Sequence, residues 1–223
     1  MDASQLAQRL AGSFIVFDGP DGGGKSTQIA LLAAHLADDG AAVEIVADPG
    51  TTAIGQKIRG LLLERHDMAI APMCEVMLFM ASRAQLVAER VRPAVAAGKI
   101  VLCDRFISAT LASQGALGVG AKTIIELGQV AIGGLWPDLT IVLDLPSQAG
   151  LERAGGRAAQ ADRLESRELA YHQRVRDIFA EIWKDYPAKV CYVDAAGDKQ
   201  AVFHSVLAEL EKLAATREGM GRP

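Results

Sequence analysis

Nine consecutive residues near the start of the chain, Gly19-Pro20-Asp21-Gly22-Gly23-Gly24-Lys25-Ser26-Thr27, have the types and spacing needed to hold a run of phosphates. Glycines let backbone N–H groups close around phosphate oxygens, where a β-carbon would obstruct the approach. Lys25 follows Gly24 directly and is placed to reach the β and γ oxygens of a triphosphate, and the Ser26 hydroxyl is placed to meet the accompanying divalent cation. A helix starting at this point directs its positive end at the same anion. The alternative is a glycine-rich turn without a ligand, and the apolar run Phe14-Ile15-Val16-Phe17 before it and the helical pattern Ile29-Leu31-Leu32-Leu36 after it argue against that.

Further polar groups cluster where apolar runs end. Val43–Val46 leads into Asp48-Pro49-Gly50-Thr51-Thr52, and Ile100–Cys103 leads into Asp104-Arg105. In open α/β sheets ligands bind at the carboxyl ends of strands, so Asp48 reads equally as a site residue or a turn former. Asp104 can serve Mg²⁺ through water and Arg105 can hold a phosphate, or the two form an ordinary ion pair. Asp144, ending the run Leu139–Leu145, is a second candidate carboxylate. The small-residue stretch from Gly155 to Arg163 carries Arg157 and Arg163, with Arg153 just before it. It reads as a mobile arginine-bearing lid, over about residues 153–163, or as a solvated loop.

The elements that must position these groups alternate. Strands are predicted at Phe14–Asp18, Ala42–Val46, Ile100–Arg105, Leu139–Leu145 and Val190–Val193. Helices are predicted from the P-loop to about Asp39, then at Ile54–Leu63, Pro72 to about Ala97, Thr110–Gly115, Lys122–Gly133, Gln148–Ala154, Glu165–Trp183 and Gln200–Leu213. Pro93 falls inside the longest of these and predicts a bend. The pattern predicts one α/β domain over residues 1–223, with a parallel sheet of five strands and helices on both faces. Met73, Met77, Phe79 and Met80 form a stripe suited to core or subunit interface, whereas Arg83 in the same helix does not fit a purely apolar face. The four histidines show no partner spacing.

Composition narrows the functions. Half of the 223 residues are apolar and 22% are charged, as in an ordinary folded chain, and the net charge of −4 argues against broad nucleic-acid or anionic-membrane binding. Cys74, Cys103 and Cys191 lack metal-ligand spacing and suit reduced cytoplasmic thiols. No apolar stretch is long enough to cross a membrane, and no export signal is expected.

The P-loop with its internal acid Asp21, the Asp48–Thr52 turn, Ala81-Ser82-Arg83-Ala84-Gln85, Arg92-Pro93-Ala94, Asp104-Arg105-Phe106, Gln114-Gly115, Gly133 to Thr140 and Asp162-Arg163-Leu164-Glu165 occur in this order. Together they resemble the bacterial thymidylate kinases, a family of P-loop NTPase fold among the nucleoside monophosphate kinases. The resemblance implies transfer of the γ-phosphoryl of ATP to dTMP with Mg²⁺, giving ADP and dTDP for dTTP synthesis, in a cytoplasmic homodimer formed through the Met-rich helix. It implies that Gly19 and Asp21 to Thr27 bind ATP, that Arg83 and Arg105 grip the dTMP phosphate, that Phe79 stacks on thymine and that Gln114 contacts the base. It also implies that Asp48 positions the acceptor, that Asp21 sits beside the deoxyribose, and that the catalytic arginine comes from the lid, with Arg157 preferred over Arg153 and Arg163.

The sequence departs from the family pattern at five places. Ala47 stands where an arginine is usual, Thr51 where a second glycine is usual, Ala109 for Ser or Asn, Ser113 for Tyr, and Asp18 for Glu. Ser108 or Thr110 is available to substitute at the Ala109 position. The competing expectations are a kinase of another pyrimidine monophosphate and a P-loop module that binds nucleotide without catalysis. No Asn-Lys-x-Asp motif that would read guanine is present.

Overall fold

A computed structural model of the chain describes residues 3–64, 68–155, 163–164 and 167–218. The elements in order are α1 (Ala3–Leu10), β1 (Phe14–Asp18), α2 (Lys25–Asp38), β2 (Val43–Ala47), α3 (Ala53–Leu63), α4 (Pro72–Leu86), α5 (Arg92–Ala96) and β3 (Ile100–Asp104). There follow α6 (Ile107–Gly115), α7 (Ala121–Ile132), β4 (Leu139–Asp144), α8 (Ser147–Gly155), α9 (Leu169–Glu181), β5 (Val190–Asp194) and α10 (Lys199–Glu218).

The five strands form one parallel sheet in the order β2-β3-β1-β4-β5. In the centre, Val16 pairs with Cys103 on one side and with Thr140 on the other. Every residue of β1 is buried, and its side chains alternate between two cores because successive β-carbons point to opposite faces. Phe14 and Val16 join a core with residues of α4, α6, α7 and α9, whereas Ile15 and Phe17 join a core with residues of α1, α2 and α10. Burial of each such large apolar side chain contributes about 1.5–3 kcal/mol, and this two-sided burial makes the three central strands, β1, β3 and β4, read as largely apolar runs.

The predicted Pro72–Ala97 helix is interrupted. Val87–Val91 is a wider, π-helical turn in which Arg92 N donates to Val87 O, and α5 starts anew at Arg92. Pro93 has no N–H to give to an α-helical ladder, and the wider turn absorbs that defect without breaking the helix axis into a loop. The predicted Glu165–Trp183 helix is shorter than expected, from Leu169 to Glu181, and passes into a 3₁₀ turn at Ile182–Lys184.

All five strands run the same way, so their carboxyl ends share one edge of the sheet. The chain leaves β1 for β2 on one side and later crosses to β4 on the other, which makes the carboxyl end of β1 the switch point where a crevice opens. The P-loop, the Asp48 turn and Asp104-Arg105 all emerge there.

Candidate active site

The P-loop closes β1 onto α2. Gly24, in the left-handed region at φ 84°, caps the first turn of α2. Gly22, at φ 75°, is packed so closely against α8 that a β-carbon would overlap the Gly150 carbonyl, and a β-carbon on Gly150 would in turn overlap the Asp21 carbonyl. Glycine is thus required on both sides of this contact. Lys25 folds over the loop, its Nζ donating to Gly19 O at 3.1 Å and Pro20 O at 2.8 Å. Burial, and after it the Arg105 charge, push the Lys25 ammonium down to about 8. Ser26 Oγ donates to Asp104 Oδ2 at 2.7 Å, linking the loop to the end of β3.

Arg105 adopts φ 69°, an uncommon backbone for a residue with a side chain. That conformation turns its guanidinium toward β1. Nη1 donates to Gly19 O at 3.2 Å and to Asp18 Oδ1 at 3.4 Å, and Nη2 pairs with Asp21. Asp18 also accepts from Ser108 Oγ at 2.6 Å, so Ser108 serves the core of the site and not its wall. Burial raises the Asp18 carboxyl above its ordinary range, with Arg105 opposing. For Asp21 burial works in the same sense, but Arg105 and Lys25 outweigh it and hold the carboxyl low.

Across the cleft, Asp48 is buried and paired with Arg83, whose Nε lies 2.5 Å from Asp48 Oδ2. Burial pushes the Asp48 carboxyl up and Arg83 counters it. Arg83 Nη2 donates to Phe106 O at 2.8 Å, and the guanidinium lies 5.7 Å from the Phe79 ring centre and 5.6 Å from that of Phe106. The misfit of Arg83 with an apolar stripe is resolved: Asp48 neutralises it and aromatic faces flank it. Thr51 takes up the turn by both accepting from Ala47 N at 2.7 Å and donating to Ala47 O at 3.0 Å. With alanine at 47, a cation reaches this wall from α3 instead: Arg59 lines the cleft and donates to Pro49 O at 3.1 Å.

Gln114 lies on the α6 wall, fully buried, and donates from Nε2 to Glu75 Oε2 at 2.9 Å. Glu75 also accepts from Arg163 and Arg167, a buried carboxylate with three partners that sequence reasoning missed. Ser113 and, from α9, Tyr171 both line this wall, and the Tyr171 hydroxyl donates to Ser113 O at 3.2 Å.

One cleft of about 900 Å³ gathers Gly19, Asp21, Gly22, Gly24, Lys25, Ser26, Thr27, Asp48, Phe79, Arg83, Asp104, Arg105 and Gln114. Gly23 packs toward Leu143 and does not line it. Arg153 lines the cleft while donating to Ala195 O and Ala196 O at 2.8 and 3.0 Å. Arg157, with most of the expected lid, lies outside the described residues. Asp144 is not part of the cleft wall; it is held by two hydrogen bonds from Arg176 at 2.8 and 2.9 Å. Among the described residues no three His, Cys, Asp or Glu side chains cluster to form a protein-only metal cage.

The arrangement offers a phosphate cradle facing an arginine-lined pocket with an aromatic and an amide, a geometry for bringing two phosphorylated ligands together. Residues 17–206 match the thymidylate kinase family model. The thymidylate kinase of Thermomicrobium roseum is 43% identical over 201 residues, covering 90% of this chain and 95% of the relative. That of Trichlorobacter lovleyi is 46% identical over 188 residues, covering 82% and 89%. A solved thymidylate kinase from Ehrlichia chaffeensis superimposes with a TM-score of 0.72 at 28% identity, covering 90% of this chain and 99% of that one.

Proposed function

Because the chain belongs to the thymidylate kinase family and is a dTMP kinase using ATP, we propose a division of labour among its cleft residues. The observation that carries it is the convergence of Lys25, Ser26, Asp104 and Arg105 on one cleft opposite the Asp48–Arg83 pair. Gly19, Asp21, Gly22, Gly24, Lys25, Ser26 and Thr27 hold ATP, with Gly23 shaping the loop. Lys25 leaves its two loop carbonyls for the β and γ oxygens when the triphosphate arrives.

Arg105 and Arg83 bind the phosphate of dTMP, and Asp48 holds Arg83 in place. Asp21, already paired with Arg105, lies beside the sugar, Phe79 stacks on thymine and Gln114 meets its edge. Arg59 supplies the cation that Ala47 does not. A dTMP phosphate oxygen attacks the γ-phosphorus of ATP while the bond to the β,γ-bridging oxygen breaks, giving dTDP and ADP. The transferred group carries its charge on oxygens, so positioning and cationic neutralisation do the work, with no protein nucleophile.

Ser26 and Asp104 adjoin at 2.7 Å and present oxygen donors, which suits a small hard cation that draws its other ligands from water and phosphate. These residues would hold Mg²⁺, which when bound neutralises charge on the triphosphate. We take the chain as one kinase domain whose lid, about residues 153–163, supplies the catalytic arginine, with Arg157 the first choice.

A homodimer is supported by exposed apolar side chains on three adjacent helices: Ile54 and Leu61 on α3, Met73 and Met77 on α4 and Val130 on α7. No described helix is long and apolar enough to cross a membrane, and Cys74, Cys103 and Cys191 are free thiols, which supports a cytoplasmic setting.

The test is ADP release with Mg-ATP against dTMP, dUMP, UMP, dCMP and no acceptor. Preference for dTMP with little background hydrolysis is expected. ATP binding without acceptor-dependent turnover would overturn the proposal.

A further inference from the structure

Glu75, in the first turn of α4, is fully buried, and its two oxygens serve different neighbours. Oε1 accepts from Arg163 Nη2 at 2.6 Å and Arg167 Nη2 at 3.2 Å. Oε2 accepts from Gln114 Nε2 at 2.9 Å. A carboxylate has no donor to offer, so it admits one orientation of the Gln114 amide, nitrogen toward Glu75 and oxygen away. That oxygen, Oε1, has no partner among the described residues, and neither has Thr110 Oγ1 one turn earlier on the same wall. Buried polar atoms left without partners at a cleft point to a ligand that completes them.

We propose that Glu75 is a positioning residue that sets base selectivity through Gln114. By fixing the amide, it makes Gln114 an acceptor that requires an N–H donor on the pyrimidine edge. This rests on the dTMP kinase reading and deepens it. Thymine and uracil carry N–H at ring position 3, whereas cytosine carries a lone pair there, which would face the lone pairs of Oε1. The two guanidinium groups compensate the buried charge of Glu75, and Arg163 is itself anchored through Nε to Leu62 O at 2.9 Å. A neutral amide at position 75 could donate or accept, and Gln114 would then be free to turn over.

The experiment compares kcat/KM for dTMP and dCMP in the unaltered enzyme, Glu75→Gln and Glu75→Asp. The unaltered enzyme is expected to disfavour dCMP by roughly a hundredfold or more, as sites built around one hydrogen bond do. Glu75→Gln narrows that ratio by about tenfold, the effect of losing one discriminating hydrogen bond. Glu75→Asp, still only an acceptor, keeps the ratio even where overall activity falls. An equal loss for both substrates in Glu75→Gln, as a merely structural role would give, overturns the proposal. Should Glu75→Gln fail to fold, N3-methyl-dTMP decides with the unaltered enzyme. Binding weaker than dTMP by about tenfold or more supports the acceptor at Gln114, and equal binding overturns it. Failure of the parent reading is distinct: the unaltered enzyme would release no ADP in response to dTMP, which overturns both.

Discussion

Arg83 and Asp48 meet at 2.5 Å with both side chains withdrawn from water, one from the last turn of α4 and the other from a strand-end turn. A buried pair of this kind gains little over a well-packed apolar pair, but breaking it is costly because one charge is left uncompensated. Arg83→Met is expected to destabilise the protein by about 3–5 kcal/mol in urea titration, and Arg83→Met with Asp48→Leu by less than the single change. Near-additive losses would show that the two charges do not depend on each other.

Lys25 titrates near 8 in the free enzyme because burial and Arg105 disfavour its charge. Below that pH the ammonium is present to meet the triphosphate; above it the amine is neutral. The profile of kcat/KM for Mg-ATP, which reports the free enzyme, is expected to fall as pH rises through about 8. In the ATP complex the phosphates restore the charge, so kcat holds to higher pH. Lys25→Ala should lower kcat by roughly 10²–10³ and remove that alkaline limb.

Glu44 on edge strand β2 receives Arg90 from the π-helical turn and Lys99 from just before β3. The Arg90 hydrogen bond, against burial, holds its carboxyl below the usual range. A depressed carboxyl stabilises the fold above its unfolded value, about 4.3, and loses that contribution as pH falls through the folded value. Both cations are about two-fifths exposed, so screening limits the effect. Glu44→Gln is expected to cost roughly 0.5–1 kcal/mol at neutral pH, with the two melting curves converging below about pH 4.

Gly150→Ala places a methyl group against the Asp21 carbonyl and displaces the P-loop. Overpacking of this sort costs about 1–3 kcal/mol. Because the loop positions ATP, kcat/KM for Mg-ATP should drop by roughly 10- to 100-fold. Unaltered ATP kinetics would show that the loop and α8 are free to separate.

Met73→Glu with Met77→Glu puts two charges on the exposed apolar face of α4. Light scattering on a sizing column is expected to give a monomer for the variant and a dimer for the unaltered chain. A dimer in both would move the interface elsewhere.

The fold was legible because its signals are local. Short, largely apolar segments bounded by turn residues named all five strands, and the P-loop gave the start of α2. Helix ends were less legible where tertiary contacts set them: α6 begins at Ile107, ahead of the expected Thr110, because Asp18 draws in Phe106 N and Ser108 Oγ. In the site, residues tied to a motif were visible and brought together, but their pairing was not. Nothing about Glu75 in an apolar helix signals that residues 39, 88 and 92 positions away converge on it. Asp144 looked like a site carboxylate from its strand-end position, yet Arg176, one helix later, claims both its oxygens. Gly150 carried no signal at all, since its need for a bare α-carbon arises only where α8 meets the P-loop.

The strand order has a consequence for biosynthesis. β1 is made first but sits in the middle of the sheet, between β3 and β4, and neither neighbour exists until residues 100–104 and 139–144 have been translated. At about 5–20 residues per second, β1 waits on the order of several seconds with its apolar side chains unpaired. β2 cannot relieve it, because β3 lies between them. The nascent chain therefore spends much of its synthesis with a sticky, centre-strand segment near the amino terminus, the interval in which chaperones that shield apolar stretches at the ribosome have most to do for this protein.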